Sequence, residues 1–109
     1  MVIDEGLDAT AALFKVLGSE SRLLLLRLLI AEPQQVNALV ATSGLSQPLV
    51  SQHLKSLRQA GILTVSRTGR EAVYRLADHH IAHIVEDAIA HVLEESHPRH
   101  EQQEEGENT

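Results

Sequence analysis

No cysteine occurs anywhere in the 109-residue chain. That absence removes disulfides, thiolate catalysis and every metal site that depends on sulfur. Aromatic residues are nearly missing too: there is one Phe, one Tyr and no Trp. The apolar content is aliphatic instead, a composition that suits packed helices. Long hydrophobic runs are also lacking. The richest, from Leu23 to Ile30, is interrupted by Arg27 and falls far short of the ~18 residues a membrane span needs. Where a signal peptide would be basic, this chain has Asp4, Glu5 and Asp8. A cytoplasmic location without a membrane partner is therefore the default expectation. The length fits one domain whose thin core would gain from oligomerisation.

Positive charge is scarce overall, with a formal net charge of −6, but it is not scattered. Lys55, Arg58, Arg67, Arg70 and Arg75 lie between residues 46 and 76, where the one acid is Glu71. The segments on either side are acidic. A basic block flanked by acidic ones is the pattern of a nucleic-acid surface on a molecule that otherwise stays clear of the duplex. Histidine is equally uneven: of seven, all but His53 fall at or after His79.

Apolar spacing predicts a helix from Leu7 to Leu17, stopping at Gly18, and a second from Leu23 to Ala31 that Ser19 can cap and Pro33 closes. The second is apolar on nearly every side, as a central buried helix is. A short third helix spans Val36 to Thr42 and ends at Gly44. Ser46 caps a fourth, in which Val50, Leu54 and Leu57 share the inward face and Pro48 occupies the first turn. The period then changes. Ile62, Leu63 and Val65, the turn Thr68-Gly69-Arg70, and Ala72 to Leu76 predict a β-hairpin. From Asp78 to Glu95 the helical period returns, with Ile81, Ile84, Val85, Ala88 and Val92 as the apolar stripe. Residues 1–96 are thus expected to fold, and residues 97–109 to form an acidic, disordered tail.

Two helices joined at a glycine turn, followed at once by a hairpin, make a winged helix-turn-helix: mainly α with a small β-hairpin. If Val50, Leu54 and Leu57 point inward, Gln47, Ser51, Gln52 and Lys55 point outward. Gln47, Ser51 and Gln52 suit base edges, Lys55 and Arg58 suit phosphates, and Arg67 and Arg70 flank the wing turn. Any one of these is as easily an ordinary solvated residue. Their coincidence with the one basic block argues for contact. His53 is open between a phosphate contact, a solvated position and an interhelical one.

The stretch "LSQPLVSQHLKSLRQAGILTVSRTGREAVYRL" resembles the signature of the ArsR/SmtB family, with its "HLKxLRxAGxL" recognition helix and "RxGRxxxYxL" wing. "LGSESRLLLLRLL" at 17–29 resembles the family's second helix, and the likeness extends over residues 7–95. The resemblance implies a homodimer joined by its first and last helices. It implies a repressor of metal efflux or sequestration operons, released from operator DNA by an inducer. Family members that use cysteines on the third helix sense arsenic, lead or cadmium; Gln35-Val36-Asn37 stands there instead, so that mode is excluded.

The last helix carries Asp78-x-His80 and, further on, His91-x-x-Glu94. Residues 80 and 91 lie about 16 Å apart on one helix, too far for a single ion. If two copies packed antiparallel about a two-fold axis, Asp78 and His80 of one would meet His91 and Glu94 of the other, twice per dimer. Two imidazoles and two carboxylates suit tetrahedral Zn(II). The spacing D-x-H-x₁₀-H-x₂-E also resembles the family's zinc-sensing site. His97 and His100 would add ligands and favour six-coordinate Ni(II) or Co(II) in a sensor of the same fold; His83, off the stripe, reads as a surface residue. A zinc hydrolase fits poorly, because no acid or base is separable from the ligands and no small-molecule substrate site is suggested. A constitutive architectural DNA-binder is the remaining reading, and metal-dependent release distinguishes it from a sensor.

Overall fold

A computed structural model describes residues 3–96 of the protein. The segment 97–109, with His97 and His100, lies outside the described residues. Helix α1 (Leu7–Leu17) leads into α2 (Glu20–Ala31), whose start is fixed by Ser19: its Oγ accepts the Arg22 N–H at 3.3 Å. Leu25, Leu26 and Leu29 of α2 are buried. At its end the Leu28 carbonyl accepts twice, from the Glu32 N–H at 3.4 Å and from the Gln34 side-chain amide at 2.9 Å, which ties the following strand to the helix.

The reading unit follows. Helix α3 (Val36–Ser43) ends at Gly44, whose φ of 77° is the left-handed geometry a side chain disfavours. Helix α4 (Gln47–Gln59) begins at Ser46, whose Oγ accepts the Leu49 N–H at 3.3 Å, with Pro48 in the first turn. Val50, Leu54 and Leu57 are fully buried. Each such side chain contributes about 1.5–3 kcal/mol, against about 1 kcal/mol for a cap. Packing therefore sets which face of α4 turns inward, and the cap only where it starts.

Strands β2 (Leu63–Thr68) and β3 (Glu71–Leu76) pair antiparallel, from Leu63 opposite Leu76 to Thr68 opposite Glu71, around the turn Gly69-Arg70. Before them in the chain, Gln34–Gln35 forms a two-residue strand β1 that pairs with β3, so the sheet has the order β1-β3-β2. This edge strand adds to the hairpin expected from the sequence. Helix α5 (His79–Ser96) returns over α2, seating Ile81 and Val85 in the same core as Leu39, Ile62 and Leu63. Among the described residues no helix is long and apolar enough to cross a membrane.

Candidate DNA interface and metal-ligand set

Because the apolar face of α4 is buried, its opposite face is presented outward. Gln47, Gln52, Lys55 and Arg58 are exposed and Ser51 is half-buried. Ser51, Lys55 and Arg58, with Gln59 and Tyr74 of β3, line a groove of about 370 Å³ between helix and sheet. Arg67 is exposed near the end of β2, and Arg70 is exposed in the wing turn. A strand of this length carries the turn roughly 20 Å from Leu63. Among the described residues, none of Lys55, Arg58, Arg67 and Arg70 is paired with a carboxylate. Their charge faces solvent uncompensated, as a phosphate-binding surface requires.

His53 is settled as interhelical. The Arg22 Nε donates to His53 Nδ1 at 3.2 Å, joining α2 to the middle of α4, while Arg22 Nη1 donates to the Val16 carbonyl of α1 at 3.2 Å. With Nδ1 accepting, the ring proton sits on Nε2. Burial, and secondarily the Arg22 charge, hold the His53 pKa below its ordinary value. Arg22 is a positioning residue that sequence reasoning passed over. Its one signal was a cation in the first turn of α2, immediately before the apolar run that begins at Leu23.

The four expected metal ligands occupy the two ends of α5. Asp78 lies just outside the helix, where its Oδ1 accepts the Ile81 N–H at 3.2 Å and stands 3.6 Å from His80 Nδ1. The Asp78 and His80 side chains are 52% and 76% exposed, open enough for a ligand from outside the chain. His91 and Glu94 are exposed on the same helix, three turns further on. Within one chain, and among the described residues, no three His, Asp or Glu side chains come together as a metal-holding group. The fold therefore brings Asp78 to His80 and does not bring that pair to His91 and Glu94.

Beside these polar ends lies exposed apolar surface. Phe14 is 54% exposed, Val92 61% and Leu93 51%, large values for such side chains. Adjoining grooves run between α1, α2 and α5, one lined by Phe14, Leu17, Leu23, Ile84 and Ala88, the next by Val85, Ile89, Val92 and Leu93. A continuous apolar patch on a chain this small marks an interaction surface.

Comparison with known proteins agrees with this architecture. Residues 19–65 match the family described as bacterial regulatory protein, arsR family. The chain is 48% identical over 92 residues to the HTH-type transcriptional repressor SmtB of Mycobacterium tuberculosis, covering 84% of this chain and 68% of that one. It is 37% identical over 81 residues to the HTH-type transcriptional regulator NmtR of the same species, covering 74% and 68%. Among solved structures, a homodimeric winged helix-turn-helix DNA-binding domain from Mycobacterium bovis superposes with a TM-score of 0.76 at 26% identity, covering 92% of this chain and 96% of that one. The transcriptional repressor BigR from Xylella fastidiosa superposes with a TM-score of 0.74 at 30% identity, covering 83% and 91%. With its buried α4 face, its wing and these relatives, the chain belongs to the arsR family of bacterial regulatory proteins, winged helix-turn-helix transcriptional regulators rather than enzymes.

Proposed function

We propose that this protein is a metal-responsive repressor, a homodimer that grips operator DNA with α4 and the wing and releases it when Zn(II) binds between the two α5 helices. The observation that carries the reading is the divided ligand set: Asp78 with His80 at one end of α5, His91 with Glu94 at the other, all exposed and incomplete in one chain. The exposed apolar surface of α1 and α5 supplies a place for the second copy, and the M. bovis relative is a homodimer. Antiparallel pairing of α5 about a two-fold axis completes two sites per dimer. Two imidazoles and two carboxylates fit the preferences of Zn(II), which when bound would act as a four-coordinate link between subunits.

On the DNA side, Gln47, Ser51 and Gln52 read base edges, while Lys55, Arg58, Arg67 and Arg70 hold the backbone. Communication between the two regions runs through the chain itself. Asp78 adjoins Ala77, whose N–H donates to the Ile62 carbonyl at 2.9 Å; the Ile62 N–H in turn donates to the Leu57 carbonyl of α4 at 2.9 Å. A change in how the α5 helices meet is thereby passed to the placement of α4, and hence to the spacing of the two reading helices.

The test is operator binding titrated with and without Zn(II), Ni(II) and Co(II). Coupling of about 1–3 kcal/mol predicts weakening of 5- to 150-fold by the inducing metal, and operator DNA must weaken that metal's binding by the same factor. His80→Ala removes a ligand from both sites and abolishes the effect. Operator affinity unchanged by all three metals would reject the reading in favour of a constitutive DNA-binder.

A further inference from the structure

We propose that His79 and His83 form a second metal site, complete within one protomer, for a late divalent transition metal ion of the Cu(II) or Ni(II) type. The two residues stand four apart at the start of α5, on one face, and both are exposed. Their rings already face each other edge to face, with centroids 5.8 Å apart and planes at 85°. An ion about 2.0–2.1 Å from one nitrogen of each ring sets the centroids roughly 4.5–5.2 Å apart for angles near 90–110°. The rings need to close by only about 1 Å, within reach of χ rotation on a fixed helix.

The surroundings favour a cation. Helix α5 contains neither Lys nor Arg, and Glu86 and Asp87 follow His83 by three and four residues. The His79 ring also packs against the His80 ring, at a centroid distance of 4.4 Å. His79 and His83 project about 100° and 60° around the helix from His80, and the ion takes its two nitrogens from His79 and His83, so Asp78 and His80 remain for the intersubunit set. With two protein nitrogens and water in the remaining positions, the site ranks ions by intrinsic affinity, Cu(II) ahead of Ni(II) and Zn(II).

This site does not depend on the dimer or on the zinc reading, and the experiment separates them. Full-length His80→Ala/His91→Ala protein, deprived of both intersubunit sites, is titrated with Cu(II) or Ni(II) alone by equilibrium dialysis. Histidine ring NMR signals are followed in parallel. The expected result is one ion per protomer, with His79 and His83 signals broadened first by the paramagnetic ion. Adding His83→Gln weakens that binding by at least about tenfold, as loss of an outer-shell partner alone does at other metal sites; His79→Gln does the same. Unchanged affinity in both variants, or first broadening at other histidines, overturns the site. Failure of the intersubunit reading shows elsewhere, as equal zinc binding by wild type and His80→Ala/His91→Ala.

Discussion

Removing one wing cation should change how operator binding responds to salt by an amount the structure sets. Each protomer presents Lys55, Arg58, Arg67 and Arg70 outward without carboxylate partners. If all four meet phosphates, a dimer makes about eight contacts, and log K falls against log salt with a slope of roughly −7. Between 50 and 200 mM salt that slope costs about 10⁴-fold in affinity. Arg70→Ala removes about two contacts per dimer and moves the slope to roughly −5, leaving a loss of about 10³-fold over the same range. The salt sensitivity should thus drop about tenfold, while the ranking of operator sequences stays the same. Fluorescence anisotropy with a labelled operator at four salt concentrations measures both slopes. Parallel lines for wild type and Arg70→Ala would show that the wing does not reach the backbone.

Gln52→Ala should do the opposite, altering base preference at one operator position by about 1–3 kcal/mol while sparing the salt slope, as competition against single-base operator variants will show. Stability should carry a His53 contribution. The folded pKa lies below the unfolded value near 6.5, so this contribution is complete above that pH and is lost progressively as pH falls from it toward the folded pKa. Urea midpoints of wild type and His53→Gln should therefore converge between about pH 7 and pH 5; a constant gap would refute the neutral, Arg22-bonded state. Phe14→Glu, at a side chain already half-exposed in the single chain, should leave the monomer's helix content intact and shift sedimentation from dimer toward monomer. An unchanged dimer would remove α1 from the interface.

Much of the DNA-facing half could be read before any coordinates, because its signals are local. Ser46, Pro48 and the Val50, Leu54, Leu57 spacing define α4 by themselves, and the change of period after Gly61 announces the hairpin. The last helix was legible as well, to within one residue: Asp78 stands just before it and caps it by accepting the Ile81 N–H. What escaped is non-local. Strand β1 is two glutamines with no apolar alternation, and it exists because Tyr74 and Val73 lie opposite. The bond from Arg22 to His53 joins residues 31 apart, and no periodicity connects them. Phe14 keeps a helical spacing that reads as core, yet among the described residues half of it is exposed, and helical spacing alone does not say what a face packs against.

The division of labour between α4 and α5 also bears on how such regulators diverge. The side chains proposed to read bases stand on α4, the proposed metal ligands stand on or beside α5, and the hydrogen bonds traced between them are backbone bonds at Ile62 and Ala77. Those bonds are indifferent to side-chain identity. Under the proposed function, substitutions at 78, 80, 91 or 94 would therefore retune which ion is sensed while leaving operator choice alone, and changes at 47, 51 or 52 would redirect the protein to new genes while it keeps its inducer. A duplicated copy of this gene has two independent routes to a new role, each a few codons long.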